Sequence, residues 1–132
     1  MRRRGRCHRI LLAAALVLVT GVLATAAGAP QASMKAYFAS NFTDTTYQQA
    51  AVNAVLKAWK PAPPLPAGKK TVVISTIARD GKVVETRFNL KSGSDPFDQS
   101  ALQAVKTAAL PPLPKAFPVN SVEVHWHFEV SR

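Results

Sequence analysis

Three consecutive pieces of the chain decide its fold: TVVISTIA (Thr71–Ala78), RDGK (Arg79–Lys82) and VVETRFNL (Val83–Leu90). Two β-branched runs joined by Asp80-Gly81 predict a β-hairpin, because the tight turn needs positive φ, which glycine supplies without steric cost. In the second run Val84, Thr86, Phe88 and Leu90 are expected on one face, with Glu85, Arg87 and Asn89 on the other. That alternation predicts a sheet with one buried and one wet face.

The elements on either side of the hairpin follow from periodicity. Upstream, Tyr47, Ala51, Val55 and Trp59 recur every four residues between Asp44 and Trp59, which predicts a helix capped by Thr43 or Asp44 and ended by Pro61. Downstream, Phe97, Ala101, Leu102, Val105 and Ala109 keep helical spacing after Ser94-Asp95-Pro96, with Asp98 suited to the positive end of the helix dipole. Proline clusters at Pro61–Pro66 and Pro111–Pro114 bound these helices, since proline lacks the backbone donor. Ser121 to Val130 alternates strictly, with Val122, Val124, Trp126, Phe128 and Val130 on one side and Glu123, His125, His127 and Glu129 on the other. The expected fold is therefore α+β: a two-layer sandwich of a three-stranded antiparallel sheet against two helices, in the order α-β-β-α-β.

The 132-residue chain carries a formal net charge of +10. Arg2, Arg3, Arg4, Arg6 and Arg9 precede an uncharged run from Ile10 to Ala29; without them twelve basic residues stand against seven acidic ones. A basic flank, an apolar run and small residues at its end predict a secretory signal peptide over residues 1–29, with an N-terminal membrane anchor as the alternative. Either reading exports the remainder, and a nucleic-acid partner is not expected. The inner membrane is a partner only if the segment is retained. The single cysteine, Cys7, lies before the run, leaving the exported part without a thiol. Residues 30–43 are expected to form a short tether, and residues 44–132 the working domain.

No nucleophile triad, paired catalytic carboxylates or phosphate-binding glycine loop is present, so a non-enzymatic protein without cofactor or metal is expected. Three patterns compete with that reading. His125 and His127 share a strand face with Glu123 and Glu129, a spacing able to ligate a metal, although one segment alone seldom closes a site. Lys69, Lys70, Arg79, Lys82, Arg87 and Lys91 gather around the hairpin, which makes an exported basic domain binding envelope polyanions or anionic lipid the alternative function. Pro111 to Pro114 fits a P-x-x-P pattern, for which a packed stiff loop is the plainer explanation.

The ordered set of Tyr47…Trp59, Pro61 and Pro63-Pro64, the hairpin with Ile77-Ala78-Arg79-Asp80-Gly81-Lys82-Val83, Lys91-Ser92-Gly93, Phe97-Asp98, Ala101-Leu102, Leu110-Pro111-Pro112-Leu113-Pro114 and a closing alternating strand resembles the C-terminal domain of TonB and TolA proteins. The resemblance implies a periplasmic protein-binding module of the Gram-negative envelope, linked to outer-membrane transport, that captures an extended segment of an outer-membrane receptor or Tol-system protein by strand addition. Carried over by position, the docking edge is the last strand: Val122, Glu123, Val124, His125, Trp126, His127 and Phe128. The same edge offers a route to a homodimer. Two features depart from the motor-coupled members that this family includes: the apolar run contains no histidine, and the segment before Asp44 is too short to cross an envelope.

Overall fold

The computed structural model describes residues 29–132; the expected signal or anchor segment, with Cys7, lies outside the described residues apart from Ala29. Six elements follow in the order β1 (Ala32–Phe38), α1 (Thr45–Ala58), β2 (Lys70–Ala78), β3 (Val83–Leu90), α2 (Asp95–Thr107) and β4 (Ser121–Val130). The class is α+β as expected, but the antiparallel sheet has four strands, ordered β1-β4-β2-β3. The expected tether at 30–43 contains the additional strand, β1. Its alternation of Ala32, Met34, Ala36 and Phe38 with Ser33, Lys35 and Tyr37 is a weak strand signal, because alanine has low strand propensity.

Helix α1 forms where Tyr47, Ala51 and Val55 make a buried stripe. Asp44 caps it, its Oδ1 accepting from the Tyr47 N–H at 2.9 Å. At its other end Trp59 turns extended, and its indole packs edge-on against Phe128 at 4.8 Å. Helix α2 buries Phe97, Ala101, Ala104 and Val105. Both helices cover one sheet face, where Val73, Ile77, Val122, Val124, Trp126, Phe128 and Val130 complete a core built wholly from residues 42–130. Ala32, Met34, Ala36 and Phe38 of β1 pack against it from outside that range, so residues 30–132 hold the core with its cover. Among the described residues no helix is long and apolar enough to cross a membrane.

Two bulges alter the expected faces of β3. The register shifts opposite Val72/Val73 and Thr76/Ile77, so Val72 pairs with Leu90 while Val73 pairs with Phe88, and Ile77 pairs with Val83. Asn89 and Val84 are the extra residues, and each moves its neighbours to the other face. Leu90 and Val84 are consequently exposed, whereas Val83 packs against the core in place of Val84.

Polar clamps hold each end of the sandwich. At one end Asp98 is buried, and its Oδ1 accepts from Thr71 Oγ1 at 2.6 Å, Ser92 Oγ at 2.7 Å and Ser92 N–H at 3.0 Å, joining α2 to β2 and the loop after β3. At the other end the Arg79 guanidinium donates to the carbonyls of Pro114, Phe117 and Val119 at 2.7–2.9 Å, and Tyr47 Oη donates to Pro111 O at 2.7 Å. Burial raises the Tyr47 pKa to about 12, consistent with a donor that stays protonated. The P-x-x-P segment is thus internally engaged, with Leu113 and Phe117 buried. It crosses over Gly81, whose φ is +91° and where an added Cβ would lie 2.5 Å from Leu110 O. Space and backbone both require glycine there.

Asp98→Ala should lower unfolding free energy by about 3 kcal/mol in urea titration, since it strands the Thr71 and Ser92 donors in the interior. Burial pushes the Asp98 carboxyl up, but the Thr71, Ser92 and Gly93 hydrogen bonds outweigh it and hold the folded pKa below its ordinary value. The stabilisation is therefore full above the ordinary aspartate range and is lost as pH falls through the lower folded value. Asp98→Ala should flatten the acid limb of the stability profile in that window.

Candidate functional site

Strand β4 is central, not marginal. It pairs with β1 from Ala32↔Val130 to Phe38↔Val124 and with β2 from Lys70↔Glu129 to Ala78↔Ser121. Val122, Glu123, Val124, His125, Trp126, His127 and Phe128, expected at an open edge, lie instead inside the sheet, which corrects their edge position: in this structure neither backbone side of these residues is open. Prolonging the β1 ladder, Ala39 N–H donates to Glu123 O and Ser131 N–H to Gln31 O. Because antiparallel pairs alternate in bonding, the residues of β4 that bond β1 are Glu123, His125, His127 and Glu129. The intervening Val122, Val124, Trp126 and Phe128 bond β2, as Val130 does through its N–H to Lys69 O at 3.0 Å.

The same alternation assigns outward backbone groups on β1 to Ala32, Met34, Ala36 and Phe38. No side chain of β1 is fully buried, whereas every second residue of β4 from Val122 to Val130 is. The two free margins of the sheet are the outer sides of β1 and β3. Those of β3 are broken by two bulges, a feature that opposes strand addition, while β1 keeps one register over seven pairs.

The solvent face of the sheet carries the histidines. His125 Nε2 lies 3.0 Å from Glu123 Oε1, and Arg87 reaches Glu123 at 3.7 Å and Glu85 at 3.8 Å. The His125 hydrogen bond, reinforced by the charges of His125 and Arg87, holds the Glu123 carboxyl below its usual range. His127 meets the Tyr37 ring edge-on at 4.7 Å. Beneath this layer Val72 and Ile74 are buried although they point away from the helices, because His127 and Leu90 flank the first and His125 and Arg87 the second. The metal pattern is not assembled: among the described residues no three His, Cys, Asp or Glu side chains gather for an ion.

The basic cluster is also dispersed. Arg79 is engaged by three carbonyls and Arg87 by two carboxylates, and Lys82 lies at the hairpin end. Lys69, Lys70 and Lys91 lie at the opposite end of the sheet.

A family model described as TonB C terminal matches residues 44–127, more than half of the chain. The match begins after β1. No curated protein matches the sequence.

His127 provides a probe of this face. Its burial, and next the neighbouring Lys70 charge, lower its pKa from the ordinary histidine value. Lys70→Glu should raise the His127 midpoint in a proton NMR titration, and Tyr37→Ala should do the same by admitting water.

Proposed function

This chain belongs to the TonB C-terminal family, and from that premise we propose that it captures an extended segment of an envelope partner, an outer-membrane receptor or a Tol-system protein, by adding it as a strand against β4. The family is one of non-enzymatic protein-interaction domains of the periplasm, and this chain is an envelope protein-interaction module of that kind. The observation that carries the finer reading is the position of β1. It already forms, within the chain, the antiparallel addition to β4 that a partner segment would make, and it is held by a backbone ladder with no fully buried side chain.

On this reading β1 is the resident occupant, and the partner replaces it on the backbone groups of Glu123, His125, His127 and Glu129. Affinity comes from the ladder, and selectivity from side chains that enter the half-covered positions of Ala32, Met34, Ala36 and Phe38. The cost of exchange is small because the hydrogen bonds lost with β1 are remade with the partner. Pairing with a second copy through this margin is the competing occupancy.

Two proline variants separate exchange from simple addition outside β1. Lys35 donates towards β4, so Lys35→Pro removes an inward hydrogen bond; Ala36 donates outward, so Ala36→Pro removes only a margin donor. With a panel of peptides copying the N-terminal segments of candidate outer-membrane receptors, exchange predicts about fivefold tighter binding for Lys35→Pro and little change for Ala36→Pro. Binding weakened by Ala36→Pro and not enhanced by Lys35→Pro would show addition outside β1. Peptides that leave the Glu123–Glu129 amide signals of Lys35→Pro unshifted in NMR would remove β4 as the docking strand.

A further inference from the structure

One end of the sheet joins three independent features. The first is covalent: Ala32, where β1 begins, follows the uncharged run Ile10–Ala29 with only Pro30 and Gln31 between them. Three Cα steps reach about 10 Å at most. The second is placement. The β1 start, the β4 end and the approach to β2 are tied together here, with Ser131 N–H donating to Gln31 O at 2.9 Å and Gly68 N–H donating to Val130 O at 3.0 Å. The third is charge. Lys69 and Lys70 lead into β2, Lys91 directly follows β3, Lys60 follows α1 where Trp59 packs on Phe128, and Arg132 lies over Gly68.

All five of these basic side chains are exposed, and none makes an ion pair with a carboxylate among the described residues. Lys91 Nζ rests 5.0 Å over the Phe88 ring, which leaves its charge uncompensated. The acidic groups at this end are Glu129, in register with Lys70, Asp95 at the start of α2, and Asp98, which is buried and taken up by Thr71 and Ser92. The opposite end carries Lys82, Lys106 and Lys115, but there Asp80 stands beside Lys82 and Arg79 is engaged internally.

We propose that the end of the domain bearing Lys60, Lys69, Lys70, Lys91 and Arg132 docks on the surface of an anionic phospholipid bilayer. The inference goes beyond strand capture and does not rest on it. Ammonium and guanidinium groups within a Debye length of anionic headgroups, about 8–10 Å, are attracted additively. A chain retained by residues 10–29 holds this end at that distance, so the anchor and the patch act on the same surface. A chain released from that segment keeps the patch, so docking becomes weaker and reversible. In both cases the strand margins stand away from the bilayer, along the sides of the sheet.

The test uses residues 30–132, whose core is self-contained, in cosedimentation with vesicles of phosphatidylcholine alone or mixed with phosphatidylglycerol. Binding is expected only to the anionic vesicles, falling steeply with added salt. Reversing Lys60, Lys69 and Lys70 to glutamate should weaken it by at least about tenfold, whereas the equal charge change Lys82→Glu, Lys106→Glu and Lys115→Glu should alter it far less. Circular dichroism checks that both variants remain folded, and the salt series on the unmodified chain tests the charge dependence without any variant. Equal losses from the two triple variants, equal binding to neutral vesicles, salt-insensitive binding, or capture by soluble dextran sulfate without vesicle binding would each overturn the proposal.

Discussion

Strand β4 must satisfy three demands at once, and the rest of the structure is arranged around them. Its inward-facing set, Val122, Val124, Trp126, Phe128 and Val130, fills the core beneath both helices. Its backbone closes one ladder with β2 and another with β1. An antiparallel strand can do this because consecutive residues bond opposite neighbours. The residues that bury their side chains bond β2, while those with side chains in water bond β1. Core packing and the β2 ladder are consequently coupled, whereas the β1 ladder uses the other backbone side and its Ala32, Met34, Ala36 and Phe38 side chains are only partly buried against the core. That separation makes β1 removable in principle without dissolving the core, and it is the physical basis for reading β1 as a resident occupant.

The two ends of the sandwich are closed by polar groups placed where hydrophobic burial runs out. Asp98 gathers three donors beneath the start of α2, and Arg79 with Tyr47 holds the carbonyls of the proline loop. A charged donor bound to several carbonyls is among the stronger polar contacts available to a fold. Such engagement also removes these groups from any external role. The proline loop and Arg79 both offer surface chemistry when read as sequence, and in the folded chain each is engaged by the other, with Leu113 buried beneath them.

What remains on the surface is divided by position. The sheet face has half-buried His125 and His127 with exposed Tyr37 and Arg87 over Val72 and Ile74, its charges largely satisfied by Glu123 and Glu85. The end of the sheet nearest the uncharged N-terminal run has basic groups without described carboxylate partners. Charge that is internally paired contributes little to an external field, and charge that is unpaired and clustered contributes most.

The sequence by itself determined the helices, the hairpin and the alternation of the last strand, because each is a local pattern. Tyr47, Ala51 and Val55 must share a helix face, Asp80-Gly81 must turn, and Val122 to Val130 must alternate. It also carried the family, through the order of those patterns. Only tertiary structure decided the neighbours of β4, since strand order depends on which distant segments meet and not on any one segment's period. The β1 segment became a strand because β4 offered it seven backbone pairs and the core offered partial cover to Met34 and Phe38. The faces of β3 were likewise set by bulges against β2, which carry Val84 and Leu90 outward against their sequence alternation. Local periodicity reports what a segment can bury; the partner across the ladder decides which of its edges stays open.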